Sequence, residues 1–80
     1  MKGIIDGDKQ NITGAKIKEL RKKAGLSQKQ LSEKLELCAV YTCRGSVSRI
    51  ESGLRAVTDI ELFAIAEILG VSVQELFSKD

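Results

Sequence analysis

Two segments decide how this chain folds: Ser27-Gln-Lys-Gln-Leu-Ser-Glu-Lys-Leu35 and, after a connector, Cys43-Arg-Gly-Ser-Val-Ser-Arg-Ile-Glu-Ser-Gly53. Each carries apolar residues at helical spacing, Leu31 and Leu35 in the first, Val47, Ile50 and then Leu54 in the second. The second helix is predicted over residues 44–52. Its other side presents Arg44, Gly45, Ser48 and Arg49. Two arginines flanked by small residues at a helix start suit a groove lined with phosphates and base edges. Gly53 is free to take the left-handed conformation that closes a helix. Two short amphipathic helices joined by a turn predict a helix-turn-helix.

Outward from this pair, the chain supplies three more helical patterns and one irregular stretch. Residues 1–12 show no sustained period around Ile4-Ile5 and are expected to form an N-terminal arm, disordered or packed loosely by the two isoleucines. Thr13 is the expected N-cap of a first helix running to about Ala24, with Ile17, Leu20 and Ala24 inward and Gly25 ending it. The next start signals repeat. Leu26-Ser-Gln-Lys-Gln-Leu31, Val57-Thr-Asp-Ile-Glu-Leu62 and Val71-Ser-Val-Gln-Glu-Leu76 each read apolar, hydroxyl, two residues, Glu or Gln, Leu. That is a capping box with a hydrophobic staple each time, and it predicts helix starts near residues 28, 59 and 73. The helix from Gln28 buries Leu31 and Leu35. The one from Asp59 to Leu69 turns Leu62, Ile65, Ala66 and Leu69 inward, with Ile60, Phe63 and Ile68 widening the stripe, and Gly70 stops it. A last short helix, residues 73–78, sets Leu76 and Phe77 against the core or a partner.

Eighty residues allow one small domain, here divided into the arm, residues 1–12, and a helical domain, residues 13–80. With 42% apolar and 30% charged residues, no proline, no tryptophan and few aromatics, an all-α core of Leu, Ile, Val and Ala is expected. No stretch reaches the ~18 apolar residues of a membrane span and no signal-peptide core opens the chain, so no membrane contact and a cytoplasmic location are expected. The net charge is only +2, but it is unevenly spread. From Lys16 to Arg55 ten Lys and Arg face four acids; from Ala56 to Asp80 one Lys faces five. A basic front and an acidic back fit a polyanion bound on one side; solvated helix faces are the plainer reading.

Catalysis finds little footing. There is no histidine to serve as a base for Ser or Cys, and no glycine-rich phosphate loop. Cys38 and Cys43 fall short of the four ligands of a structural zinc site, so neither metal nor cofactor is expected. They read as reduced thiols, semi-buried at a helix end and at an N-cap, with redox sensing as the alternative. Gln28, at the start of its helix, could hold a phosphate with its side chain and the first-turn amides, or be a plain exposed polar residue.

Ile17-Lys-Glu-Leu-Arg21, Leu26-Ser-Gln-Lys-Gln-Leu31, Val47-Ser-Arg-Ile-Glu-Ser-Gly53 and Leu69-Gly-Val-Ser-Val-Gln-Glu-Leu-Phe77 together resemble the Cro/C1-type, or xenobiotic-response-element, helix-turn-helix family. The resemblance spans residues 13–77. It implies an all-α, five-helix, lambda-repressor-like DNA-binding domain whose third helix enters the major groove of double-stranded DNA. Carried over by position, Gln28 resembles the family's phosphate-binding residue. Arg44, Gly45, Ser46, Ser48 and Arg49 resemble its base- and phosphate-facing residues, and Arg55 a backbone contact. Arg21 and Glu51 resemble the pair that ties the first helix to the end of the third.

The chain departs from the family in three places. The connector of residues 36–42 is longer than the usual tight turn, Cys43 stands where Ser or Thr is preferred as N-cap, and Gly45 removes a side chain from a reading position. Base readout therefore leans on Arg44 and Arg49. As a whole the chain also resembles the small stand-alone VanU-type regulators of VanG-type glycopeptide-resistance operons, though no single residue carries that likeness. The expected function is a sequence-specific transcriptional regulator, a repressor by promoter occupancy, acting as a homodimer with no small-molecule ligand. The alternative is a protein-interaction module, an antitoxin or an accessory subunit of another regulator, docking through its acidic back.

Overall fold

A computed structural model describes residues 7–78. Four α-helices follow in order, α1 Gly14–Lys23, α2 Gln28–Leu37, α3 Arg44–Glu51 and α4 Asp59–Leu69, and a 3₁₀ helix, Val73–Phe77, closes the fold. The described residues contain no strand. The expected fifth α-helix is thus corrected to 3₁₀: five residues make fewer than two turns, a length at which i→i+3 bonding competes well. Its capping box is nonetheless complete, as are those of α2 and α4. Ser27, Thr58 and Ser72 accept the amides of Gln30, Glu61 and Glu75, whose side chains return to the cap amides.

One cluster of apolar side chains holds the elements together: Ile17, Leu31, Leu35, Val47, Ile50, Ala64, Ile65, Ala66 and Leu76. Each buried Leu, Ile or Val contributes roughly 1.5–3 kcal/mol through the area it removes from water. Through this cluster α3 packs chiefly on α1 and α2, while α4 packs on α2, α1 and the 3₁₀ helix. Gly14 lets α1 start directly against the end of α3, because a Cβ there would collide with the carbonyl of Ile50.

Several inward assignments change. Ala24 is the exposed C-cap of α1, and Leu54, just past α3, is 67% exposed. On α4 the inward stripe is buried Glu61, Ala64, Ile65 and Ala66 with half-buried Ile68, so Ile60 and Phe63 fall outside it, 66% and 61% exposed. The helix is apolar nearly all round, and a glutamate inside the core stripe hides which face is inward. Ala66 lies inward as expected, and Leu62 and Leu69, also expected inward, are half-buried against the core.

The start of α1 is also built differently. Thr13 occupies the cap position with near-helical backbone and gives no side-chain cap. Asn11 supplies it instead, Oδ1 accepting from the amides of Thr13 (3.0 Å) and Gly14 (2.7 Å). Its Nδ2 donates to the carbonyls of Ile50 (3.0 Å) and Arg55 (2.8 Å), and the Gln10 amide donates to Gly53. Residues 9–11 of the arm are therefore tied to the end of α3. Ile4 and Ile5, expected to pack the arm loosely, lie outside the described residues.

Candidate nucleic-acid interface

α3 has two unlike sides. Inward, Val47, Ile50 and Glu51 are buried; outward, Arg44, Gly45 and Arg49 are exposed, with Ser46 and Ser48 half-buried between them. Arg49 Nη2 lies 3.4 Å from Ser46 Oγ, and a Cβ at Gly45 would sit 3.6 Å from Arg49 Nη1. The Arg49 guanidinium thus lies over the first turn, at a distance that a Cβ at 45 would meet in ordinary contact. This cationic surface sits at the positive end of the α3 dipole, which favours an incoming anion.

Cys43 is the N-cap of α3 in extended conformation, without a side-chain cap. Its Sγ lies 3.5 Å from Ser46 Oγ. That hydroxyl, the Ser46 and Gly45 amides and the Arg49 charge hold its thiol below the ordinary value. Cys38 caps the end of α2. Both positions match expectation, but both thiols are exposed rather than semi-buried, the connector turning Val40 and Thr42 inward instead. Among the described residues no group of three or more His, Cys, Asp or Glu comes together to hold a metal.

The two ends of α3 are held by buried carboxylates. At the C-terminal end Glu51 takes Arg21 in a two-pronged pair, Nε to Oε2 at 2.6 Å and Nη2 to Oε1 at 3.0 Å. Arg21 Nη1 donates onward to the Leu26 carbonyl at 2.6 Å. Gln28 joins the same group, Nε2 donating to Glu51 Oε1 at 3.1 Å. The side chain expected to face a phosphate is therefore bound to the scaffold, and with the Gln30 amide taken by Ser27 the first turn of α2 has the Gln28 and Lys29 amides for that purpose.

At the other end stands Glu61 of α4. Arg55, the expected backbone contact, donates to it from Nη1 and Nη2, both at 3.0 Å, and to the Ala56 carbonyl. Three of the five guanidinium donors are thereby committed. Thr42 Oγ1 donates to Glu61 Oε2 at 2.6 Å, and the Thr58 amide to Oε1 at 2.9 Å. Burial pushes the Glu61 carboxyl up, but the hydrogen bonds from Arg55, Thr42 and Thr58 outweigh it and hold the group at about 2. In the sequence Glu61 shows only its capping role, and Thr42, Ser32 and Asn11 stand in no motif. A carboxylate inside an otherwise apolar stripe was the available signal.

The helix-turn-helix family model matches residues 17–76. The chain belongs to the Cro/C1-type helix-turn-helix family. Control protein C.MunI from Mycoplasma sp. is 39% identical over 66 residues, 81% of this chain and 82% of that protein. Among solved structures, the restriction-modification controller protein C.AhdI from Aeromonas hydrophila superposes with a TM-score of 0.71 at 32% identity, covering 81% of this chain and 87% of that one. The DNA-binding domain of BldD gives 0.71 at 31% identity, covering 92% of this chain and all of its own. The resemblance to VanU-type regulators finds no support among these relatives. As a member of this family the chain is a DNA-binding transcriptional regulator. No helix of the described residues is long and apolar enough to cross a membrane.

Proposed function

We propose that this helix-turn-helix protein is a sequence-specific regulator that works in the cytoplasm, occupying a promoter as a homodimer and repressing it by occupancy. One observation carries the reading: α3 has its scaffold-facing side locked by Glu51, Val47 and Ile50, while Arg44 and Arg49 stand exposed on the other. A helix so held can enter a major groove without losing packing. Each arginine can then pair with the O6 and N7 of a guanine. Gly45 and Ser48 allow close approach, and Ser46 supports Arg49. The α2 first-turn amide of Gln28 and the uncommitted donors of Arg55 contribute phosphate contacts that carry no sequence information.

The second copy is assigned to the exposed α4 surface of Ile60 and Phe63, which borders an open apolar groove of about 650 Å³. Dimeric binding places two half-sites about 10 bp apart. Selection of bound duplexes from a randomised DNA pool tests the whole reading. Wild type should enrich a two-fold motif. Arg44→Ala and Arg49→Ala should each lose ~1–3 kcal/mol on it and relax preference at one base position. If both variants enrich the wild-type motif, α3 is not the reader.

A further inference from the structure

The connector between α2 and α3, residues 38–43, is exposed almost throughout, with Tyr41 79% accessible. Its one buried residue is Thr42, 3% exposed and two positions before Arg44. Two hydrogen bonds tie it to neighbouring helices: Oγ1 donates to Glu61 Oε2 of α4 at 2.6 Å, and its carbonyl accepts from Ser32 Oγ of α2 at 2.8 Å. Glu61 is itself immobilised by Arg55 and by the Thr58 amide. Cys43, next in the chain, is the N-cap of α3 but gives it no side-chain cap, only a 3.5 Å contact of its Sγ with Ser46 Oγ, so the start of the helix leans on the residue before it.

We propose that Thr42 and Glu61 are positioning residues for recognition: through them α4 holds the chain just before α3 and so sets the base position that Arg44 reads. The proposal rests on α3 being the reading helix. Its mechanism is leverage. The far end of α3 is fixed independently by Glu51, Arg21 and Gln28. Releasing Thr42 therefore swings the start of the helix about a held end, displacing Arg44 more than Arg49. A base contact needs its geometry held to a fraction of an ångström, so a small swing is felt as lost selectivity before lost stability. A lengthened connector that was slack would blur recognition; this one is pinned at its last residue before the cap.

The test compares wild type, Thr42→Val, Thr42→Ser and Arg44→Ala. Each is given the randomised duplex pool, the duplex enriched by wild type, and a thermal melt. Thr42→Val keeps the shape but drops the hydroxyl. It should lose roughly tenfold in preference for the enriched duplex over the unselected pool, the scale of one base contact. The loss should fall at the base position relaxed by Arg44→Ala and spare the one relaxed by Arg49→Ala. Thr42→Ser should restore it. Affinity lost on every duplex in proportion to the unfolded fraction, with the motif unchanged, overturns the proposal. Should Thr42→Val fail to fold, Ser32→Ala removes only the partner of the Thr42 carbonyl and must show the same local relaxation. If Arg44→Ala relaxes a position and the connector variants do not, positioning alone fails. If no duplex is enriched, or Arg44→Ala changes nothing, the reading of α3 falls and this proposal with it.

Discussion

Glu51 and Glu61 are two buried carboxylates that do the same task at opposite ends of one helix, by different means. Glu51 belongs to α3 itself and is reached from α1 and α2 by Arg21 and Gln28. Glu61 belongs to α4 and acts on α3 only through neighbours, Thr42 before it and Arg55 after it. The first joint is closed, with side chains 8% and 2% exposed; in the second, Arg55 is 31% exposed and Glu61 7%. A closed pair is unforgiving of deletion, whereas an arginine partly in water can turn outward when its partner goes. The fold thus fixes the end of its recognition helix by a closed ion pair and its start by hydrogen bonds to a carboxylate whose arginine partner is partly solvated.

Deleting the closed joint should have the largest effect. Glu51→Ala leaves the Arg21 guanidinium buried without its counter-charge and removes the acceptor of Gln28, an expected cost of ~3–5 kcal/mol. A domain of this size has about 4–12 kcal/mol in all. Urea denaturation should therefore show a much lower midpoint with the same slope. A shift below ~1 kcal/mol, the worth of an exposed pair, would mean that the joint is solvated in solution.

The open joint should respond more mildly and with a pH signature. Glu61→Gln keeps the shape and some hydrogen bonds but loses the charge, for an expected ~1–3 kcal/mol at neutral pH. The folded carboxyl stands at about 2 against an ordinary 4.5, so deprotonation favours the folded state. Its contribution is fully present above pH 4.5 and is lost as pH falls toward 2. Stability of the wild type should decline through that window, and Glu61→Gln should flatten the decline. An unchanged acid slope in the variant would assign acid sensitivity elsewhere.

The contrast also shows what a sequence displays and what it hides. Helix starts were legible because a capping box is a contact between residues three apart, and all three boxes form. Arg21 and Glu51 were legible through family resemblance, as the exposed Arg44 and Arg49 were through helical spacing. Glu61 was half legible: its capping role is local, but its hold on Thr42 joins residues 19 apart and no periodicity announces it. Asn11 escaped for the same reason, reaching 39 residues along the chain to Ile50. The inward face of α4 was misjudged at Ile60 and Phe63 because that choice depends on where neighbouring helices lie.

The smallest expected effect comes from the connector's first turn and separates its two ends. All four helices close with a left-handed residue, and the residue after it returns its amide to a carbonyl in the last turn. After α1, α3 and α4 that residue is Gly25, Gly53 and Gly70; after α2 it is Ala39, with φ of 62°. An L-residue there carries ~1–2 kcal/mol of steric cost that glycine avoids. Glycine gives back ~0.5–1 kcal/mol through its freer unfolded chain. Ala39→Gly should therefore stabilise the protein by about 0.5 kcal/mol, a rise in Tm of about 2–4 °C. DNA selectivity should not change, because the end of the connector that matters is held by Thr42, beyond the reach of a softer turn at residue 39. A more stable variant with blurred base preference would show instead that the stiffness of Ala39, not the hydrogen bonds of Thr42, keeps α3 in register.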